Sequence, residues 1–284
     1  MKYIFSIIIV FISNFYHAQS NLKNDYDFIY HLITNNRINH SLYYLNHLNP
    51  DISEDSINFL KGYTYYLLKK PDSSAFFFSK VQNNHLQTKS QILTSLNYAY
   101  SNELSQSIQY AHLIPYDTIN SEILIIKKFL LAGNYLLQNQ FDSCNYYLKS
   151  VNPIINYKYQ NEYNNMILLY EKQKKFKKKS PLLAMFMSAF LPGSGKLYAG
   201  RKGEAMSMFV ANIIFAGFTL EAYYRSNSFK SPTFITFGTL FTFFYTGNII
   251  GSYHTAKRQN ISKQKQIKNE ILATMHSATS NVID

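Results

Sequence analysis

The stretch KQKKFKKKSPLLAMFMSAFLPGSGKLYAG, residues 172–200, is where the chain changes character. Lysine fills six of its first eight positions, and the residues from 181 to 251 then form long apolar runs with only two carboxylates, Glu204 and Glu221. Runs of this kind are typical of segments that lie in lipid. The sequence therefore predicts a soluble arm before the lysine run and a membrane domain after it.

The chain begins with the features of a secretory signal peptide. A short basic start precedes an apolar core at 4–12 and a polar stretch at 13–20. A cut after Ala18 leaves Tyr16 where a small residue is usual, so an uncleaved anchor is the alternative. The predicted division is a signal peptide at 1–19, a helical repeat domain at 21–178, a membrane domain at 181–256 and a basic tail at 257–284.

The net charge of +12 is concentrated in the lysine run and in the tail after Lys257. Basic residues beside apolar segments usually face lipid headgroups, so we expect anionic membrane lipids as partners and no nucleic acid. A biased codon composition is the alternative explanation for the scattered lysines. The residues predicted to contact headgroups are Lys172, Lys174, Lys175, Lys177, Lys178 and Lys179.

The soluble arm repeats itself. Apolar residues recur every three or four positions, which predicts consecutive helices. Four segments align on a small residue, with a packing residue four positions later and an aliphatic residue three further on. The small residues, spaced by 33, 33 and 37 positions, are Ser41, Ser74, Ser107 and Cys144.

A period near 34 in a helical chain resembles the tetratricopeptide repeat family, in which helix pairs stack into a solenoid. Another helical solenoid of similar period is the alternative. We predict an all-α fold of about four helix pairs, with residues 154–176 as a capping helix. The family resemblance implies a groove that binds a protein partner.

Three apolar segments follow the lysine run. Residues 205–224 and 232–251 are long enough to cross a membrane, whereas residues 182–191 are too short and are predicted to be an interfacial or re-entrant helix. The PGSGK string after the short segment lacks the first glycine and the Ser or Thr of a phosphate-binding loop. It is therefore predicted to be a tight turn.

The order of motifs in this region resembles the small bacterial two-transmembrane domain of the TM-two family. That family has a glycine-rich turn before the first span and a Y-x-G-N motif late in the second. The resemblance implies a membrane location, often beside helical repeats, and no established activity. The matching residues are Pro192, Gly193, Gly195, Tyr198, Gly200, Tyr245, Gly247 and Asn248.

Polar residues inside the apolar runs normally face protein or water. Asn212 and Asn248 are predicted to hydrogen-bond across the hairpin of the two spans. Glu221 and Arg225, four residues apart, are predicted to form a helical ion pair.

No residue pattern points to catalysis, a metal or a cofactor. The eight histidines show no metal-ligand spacing, and Cys144 is the only cysteine. We therefore expect a non-enzymatic scaffold, multi-pass in the bacterial inner membrane, with the repeat arm exported and bound to a protein. The alternative is a small membrane factor that acts in lipid handling or membrane-protein assembly, with the arm as its regulator.

Overall fold

The computed structural model describes residues 22–48, 53–115, 121–151 and 157–283. All regular structure in these ranges is helical, as predicted. The predicted signal peptide at 1–19 lies outside the described residues. The chain forms two compact units, which we call the helix-pair unit (residues 22–170 with 271–283) and the apolar unit (residues 171–270).

Four helix pairs follow one another within the described part of the helix-pair unit. They are α1 (Leu22–Thr34) with α2 (Ile38–Asn46), α3 (Glu54–Leu67) with α4 (Pro71–Ser79), α5 (Asn84–Tyr100) with α6 (Leu104–Leu113), and α7 (Ser121–Leu137) with α8 (Phe141–Val151). A short 3-10 turn, Tyr157–Tyr159, then leads into α9 (Gln160–Lys175). Each helix packs on its partner, and the first helices α3, α5 and α7 also contact one another in turn.

Each pair turns through a residue with left-handed backbone. Such a conformation ends a helix abruptly, and asparagine adopts it more readily than most residues. The values of φ lie between 57° and 67°. The turning residues are Asn36, Lys69, Asn102 and Asn139.

The four small residues that define the repeat columns are all fully buried in second helices. The Ser74 hydroxyl donates to the carbonyl of Gly62 at 2.8 Å, and the Ser107 hydroxyl donates to the carbonyl of Ser95 at 2.7 Å. A small side chain that bonds to the backbone of the first helix lets the two helices approach closely. The residues of the other two columns are also buried, except for the half-buried Leu48.

The apolar unit contains a short helix, a turn and two long helices. Helix α10 (Pro181–Phe190) matches the predicted short segment, α11 (Ser194–Ala199) follows the glycine-rich turn, and α12 (Lys202–Ser226) contains the predicted first span. Helix α13 (Pro232–Ile283) begins as the predicted second span and continues for 52 residues. At about 1.5 Å per residue, it is more than twice as long as the membrane core is thick.

The structure has no boundary at residue 257, where the basic tail was predicted to begin. No glycine or proline follows Gly251, so nothing in the sequence ends the helix. Ile267, Ile271, Met275 and Ala278 recur every three or four positions and form a buried face. The tail is therefore an amphipathic helix, and its last residues belong to the helix-pair unit.

By length and composition, α12 and α13 are candidate membrane spans, and α10 is a shorter apolar helix. In the most apolar stretch of 18 residues in α12, only 17% is buried inside the protein. In the corresponding stretch of α13, only 6% is buried. The core helix of a soluble protein would bury most of this surface. These two helices instead leave their apolar side chains exposed.

Candidate functional site

The glycine-rich turn between α10 and α11 is held by close backbone contacts. Gly193 has φ of 84°, and a Cβ atom there would collide with the carbonyl of Ala205. A Cβ atom at Gly195 would collide with the carbonyl of Ala184. Both positions therefore require glycine for steric reasons.

Asn248 in α13 fastens this turn. Its side-chain oxygen accepts a hydrogen bond from the Gly193 N–H at 3.2 Å, and its amide donates to the carbonyl of Ser188 at 3.3 Å. The Ser188 hydroxyl accepts from the Gly195 N–H at 3.0 Å and bonds to the Ser252 hydroxyl at 2.6 Å. We call these five residues the turn cluster. All five are buried, so their polar groups are satisfied by one another.

The turn cluster brings together the two motifs that were identified from the sequence. The Tyr245 hydroxyl adds a hydrogen bond to the carbonyl of Ala189, and the Tyr198 hydroxyl accepts one from the Ser180 N–H at 3.1 Å. Ser188 and Ser252 were missed because serine is too common to mark a site by itself.

Five of the predicted motif residues lie outside the cluster: Tyr198 and Tyr245 form the hydrogen bonds just described, and the other three are Pro192, Gly200 and Gly247. Gly200 ends α11 with φ of 91°. Pro192 is half-buried at the turn. Gly247 is exposed, and a Cβ atom there would meet nothing within 4 Å. Of the motif glycines, Gly193 and Gly195 are therefore the two in close contact.

The predicted hydrogen bond between Asn212 and Asn248 is wrong. The Asn212 amide donates to the carbonyl of Met208 in its own helix at 2.8 Å, because that carbonyl is already within reach one turn back. The predicted ion pair between Glu221 and Arg225 is confirmed, with a separation of 2.6 Å.

Lys196 in α11 is a buried cation, with 7% of its surface exposed. None of the residues that the structure describes accepts a hydrogen bond from it or forms an ion pair with it. It packs beside Gly251, where a Cβ atom would lie 3.7 Å from the lysine Cε. A charged group between apolar helices is costly and usually marks a functional position.

Part of the lysine run is already bound within the apolar unit. Lys172 pairs with Glu270 at 2.6 Å, and this hydrogen bond holds the pKa of the Glu270 carboxyl below its usual range. Lys175 pairs with Glu171 at 3.1 Å. The Lys179 ammonium donates to the carbonyl of Tyr198.

A cleft of about 300 Å³ lies between the lysine run and α13. The Lys179 backbone forms hydrogen bonds in both directions with the Asn260 side chain, at 2.9 and 2.7 Å, which fixes the run against α13. Lys177 and Lys263 line the cleft and have no ion pair with any described residue. The residues around the cleft are Lys175, Phe176, Lys177, Lys179, Gln259, Asn260 and Lys263.

The helix-pair unit carries the last turns of α13, residues 271–283, which we call the docking segment. Met275 is fully buried against α7, and its Cγ lies 2.5 Å from where a Cβ atom of Gly133 would be. The lack of a side chain at Gly133 thus makes the space for Met275. Sequence reasoning missed this contact because the tail was interpreted by its charge alone.

Polar and aromatic contacts complete the docking. The His276 ring stacks on Tyr66 of α3, with 6.0 Å between centroids, and its Nδ1 lies 3.1 Å from the Tyr66 hydroxyl. Tyr100 of α5 meets the same ring edge-on at 6.3 Å. The Ser277 hydroxyl donates to Glu162 of α9 at 2.7 Å. The docking segment therefore touches α3, α5, α7 and α9.

A cavity of about 500 Å³ lies beside His276. Tyr66, Asn97 and Tyr100 form part of its wall, and Lys69 lies at the turn after α3. Its volume is in the range of cavities that hold small ligands or large side chains. The docking segment thus leaves part of this face unfilled.

The helix-pair unit contains no activated thiol. Burial raises the pKa of the Cys144 thiol to about 12, which keeps it protonated and unreactive. In the described part of the chain, no three metal-ligating side chains come close enough to hold an ion.

Comparisons of the chain with protein-family models, with curated proteins and with solved structures find no match. The class of protein is therefore stated from the fold alone. Across the described residues, the protein is all-helical and has two helices that are long and apolar enough to span a membrane.

Proposed function

We propose that the chain is a membrane-anchored scaffold of the bacterial inner membrane whose helix-pair unit binds a helical segment of a protein partner. The observation that carries the proposal is the docking segment. A face built from α3, α5, α7 and α9 already holds an amphipathic helix through apolar, aromatic and polar contacts. Helix-in-groove binding uses the same contacts.

The helix pairs are proposed to form a tetratricopeptide-like solenoid. Support comes from the turning residues at 36, 69, 102 and 139, which repeat with the same spacing as the buried small residues. Each pair exposes one apolar side until the next pair covers it. In such a solenoid, α9 is the natural cap.

The apolar unit is proposed to anchor the scaffold through two crossings, α12 and the first part of α13. Residues 22–170 and 271–283 belong to one compact unit and must lie on the same side of the bilayer. An even number of crossings satisfies this condition, so α10 stays at the interface. At ten residues it is also too short to span.

Two features of the sequence disagree about the side of the membrane on which the helix-pair unit lies. The signal-like N-terminus predicts an exported helix-pair unit, and a long domain can be translocated despite nearby charge. Two crossings place the basic clusters at 172–179, 196–202 and 257–268 on that same side, and the positive-inside rule favours the cytoplasm for them. We propose the exported side on the strength of the N-terminal segment.

Anionic lipid headgroups are the proposed ligands of the lysine cleft. Lys177, Lys178 and Lys263 have no carboxylate partner among the described residues, and each lysine near an anionic surface contributes about 1 kcal/mol. Lys172 and Lys179 were expected to contact headgroups but are held by Glu270 and Tyr198. Lys177 and Lys263, the two lining lysines without an ion pair, are therefore expected to contribute most to headgroup binding at the cleft.

Photo-cross-linking in intact membranes tests the scaffold proposal. A photoreactive phenylalanine replaces Tyr100, on the docking face, or Tyr146, which is exposed on α8. We expect a discrete adduct, heavier than the chain, from position 100 and not from position 146. The same adducts from both positions, or none from position 100, would contradict a partner on this face.

One observation favours the second function, in lipid handling or membrane-protein assembly: Lys196 is a buried cation without an anionic partner among the described residues. A lipid phosphate would supply the missing charge. Lys196→Gln should lower the thermal stabilisation that phosphatidylglycerol gives the detergent-solubilised protein, whereas the exposed Lys202→Gln should not. Equal responses would remove this second candidate.

A further inference from the structure

We infer that the docking segment is an intramolecular ligand that occupies the partner site, so that a partner must displace it with a helix of the same kind. This inference rests on the proposed function of the helix-pair unit. It adds the chemistry of the partner helix and the competition that controls its binding.

The contacts of the docking segment define what the partner helix carries. A long, unbranched apolar side chain is needed to fill the space above Gly133, as Met275 does. The next residue must be planar, because Tyr66 and Tyr100 present their rings to it. A small residue comes two positions later, where Ala278 is fully buried three residues after Met275.

The cavity beside His276 leaves room for a larger side chain at this position of a bound helix. About 500 Å³ next to the imidazole is left open between Tyr66, Asn97 and Tyr100. A larger aromatic side chain at this position fills more of that space and adds stacking with both tyrosines. The partner helix is therefore expected to carry tryptophan, tyrosine or phenylalanine where the chain has His276.

An intramolecular ligand lowers the apparent affinity for a partner by the fraction of time it leaves the site open. The docking segment is the end of α13 and is therefore covalently tethered near its binding site. The tether gives it a high effective concentration at that site, against which a free partner helix must compete. Weakening it must therefore raise partner affinity, and locking it must abolish binding. Opposite changes in partner affinity on weakening and on locking the docking segment distinguish a competing ligand from a helix with a structural role alone.

The lock uses a disulfide between Gly133→Cys and Met275→Cys. The Met275 Cγ is 2.5 Å from the Cβ position of residue 133, and its own Cβ is one bond of about 1.5 Å further away. The two Cβ atoms are thus at most about 4 Å apart, which suits a disulfide. Cys144 does not compete, because it is buried and protonated.

The release uses Met275→Asp, which places a carboxylate against Gly133 and expels the docking segment. Its matched control is Ala273→Asp, which puts the same charge on the exposed side of the same helix turn. The probe is a fluorescent synthetic peptide of residues 267–283, added to the full-length protein in detergent and measured by anisotropy.

We expect the peptide to bind the Met275→Asp protein at least about tenfold more tightly than the wild type or the Ala273→Asp protein. The oxidised double-cysteine protein should not bind it, and reduction of the same sample should restore binding. A peptide with His276→Trp should bind the Met275→Asp protein more tightly than the unmodified peptide. Equal affinity for the oxidised and reduced protein would overturn the inference, and so would equal affinity for the two aspartate variants.

This outcome is independent of the photo-cross-linking result. A partner adduct at position 100 together with peptide binding that ignores the lock would retain the scaffold and reject the intramolecular ligand. Peptide binding that the disulfide lock abolishes, without any adduct at position 100, would retain the intramolecular ligand and reject the scaffold.

Discussion

The two units bury opposite kinds of surface. The helix-pair unit has an apolar interior, with Ile92, Leu96 and Phe129 fully enclosed. The apolar unit leaves most of the side chains of its long helices exposed and encloses a hydrogen-bonded group around Gly193 and Asn248. In water the hydrophobic effect assembles the first kind of interior, whereas in lipid it gives no drive for helices to associate. This difference is the one expected if the apolar unit lies in lipid, as proposed, and the helix-pair unit lies in water.

If this comparison is correct, the largest loss of stability in the apolar unit comes from enlarging a glycine of the turn cluster. Gly195→Ala forces a methyl group into the carbonyl of Ala184 and should destabilise the apolar unit by about 3 kcal/mol or more. Gly247→Ala, the control, meets nothing within 4 Å and should leave stability unchanged or slightly raised. Unfolding of the purified protein in mixed detergent micelles measures both. A similar loss in the two variants would show that the turn is not held as described.

Removal of the hydrogen bonds from Asn248 should have the next largest effect. Asn248→Leu leaves the Gly193 N–H and the Ser188 carbonyl without their partner, which should cost about 2 kcal/mol in the same unfolding assay. Asn212→Leu loses one bond to a carbonyl of its own helix and should cost less than about 0.5 kcal/mol. If Asn212→Leu were the more damaging change, the hairpin rather than the turn would hold the unit.

In the helix-pair unit, the stability of a helix pair should depend more on the size of its buried small residue than on the polar atom of that residue. Cys144→Ser introduces the residue that the other three pairs carry and should change stability by less than about 1 kcal/mol. Ser107→Val inserts methyl groups where Ser95 and Ser107 exchange hydrogen bonds, and should cost about 1–3 kcal/mol. Thermal unfolding followed by circular dichroism compares the two. A stable Ser107→Val protein would mean that the helices of this pair are not closely packed.

The smallest change in stability is expected from loss of the ion pair between Lys172 and Glu270. The pKa of Glu270 is lowered in the folded protein, so its contribution is present above the ordinary value of 4.5 and is lost as the pH falls through the lowered value. Both side chains are partly exposed, which limits the contribution to at most about 1 kcal/mol. Glu270→Gln should flatten the stability profile below pH 4.5 and change little at pH 7. An unchanged acid profile would show that the pair contributes nothing.

The sequence predicted much of this architecture because its signals are local. Helical periodicity, the columns of small residues and the glycine-rich turn depend on neighbours within a few positions, as does the pair of Glu221 and Arg225. The hydrogen bond between Asn212 and Asn248 was predicted wrongly because Asn212 has a carbonyl acceptor of its own helix within reach, whereas Asn248 bonds to the turn near Gly193. The docking segment was missed because the charged residues just before it, at 257–270, drew attention away from the apolar Ile271 and Met275, and no local pattern links the segment to Gly133.

Reporter fusions at Lys178, Asn227 and Asp284 test the central claim most directly. Residues 170 and 271 lie in one unit, and the proposed anchor connects them by two crossings. We therefore predict that the reporters at Lys178 and Asp284 lie on the same side of the membrane and that the reporter at Asn227 lies on the other. An exported signal at both ends would also support the proposed orientation. Reporters at Lys178 and Asp284 on opposite sides would contradict the account, because the docking segment could not then reach the helix pairs.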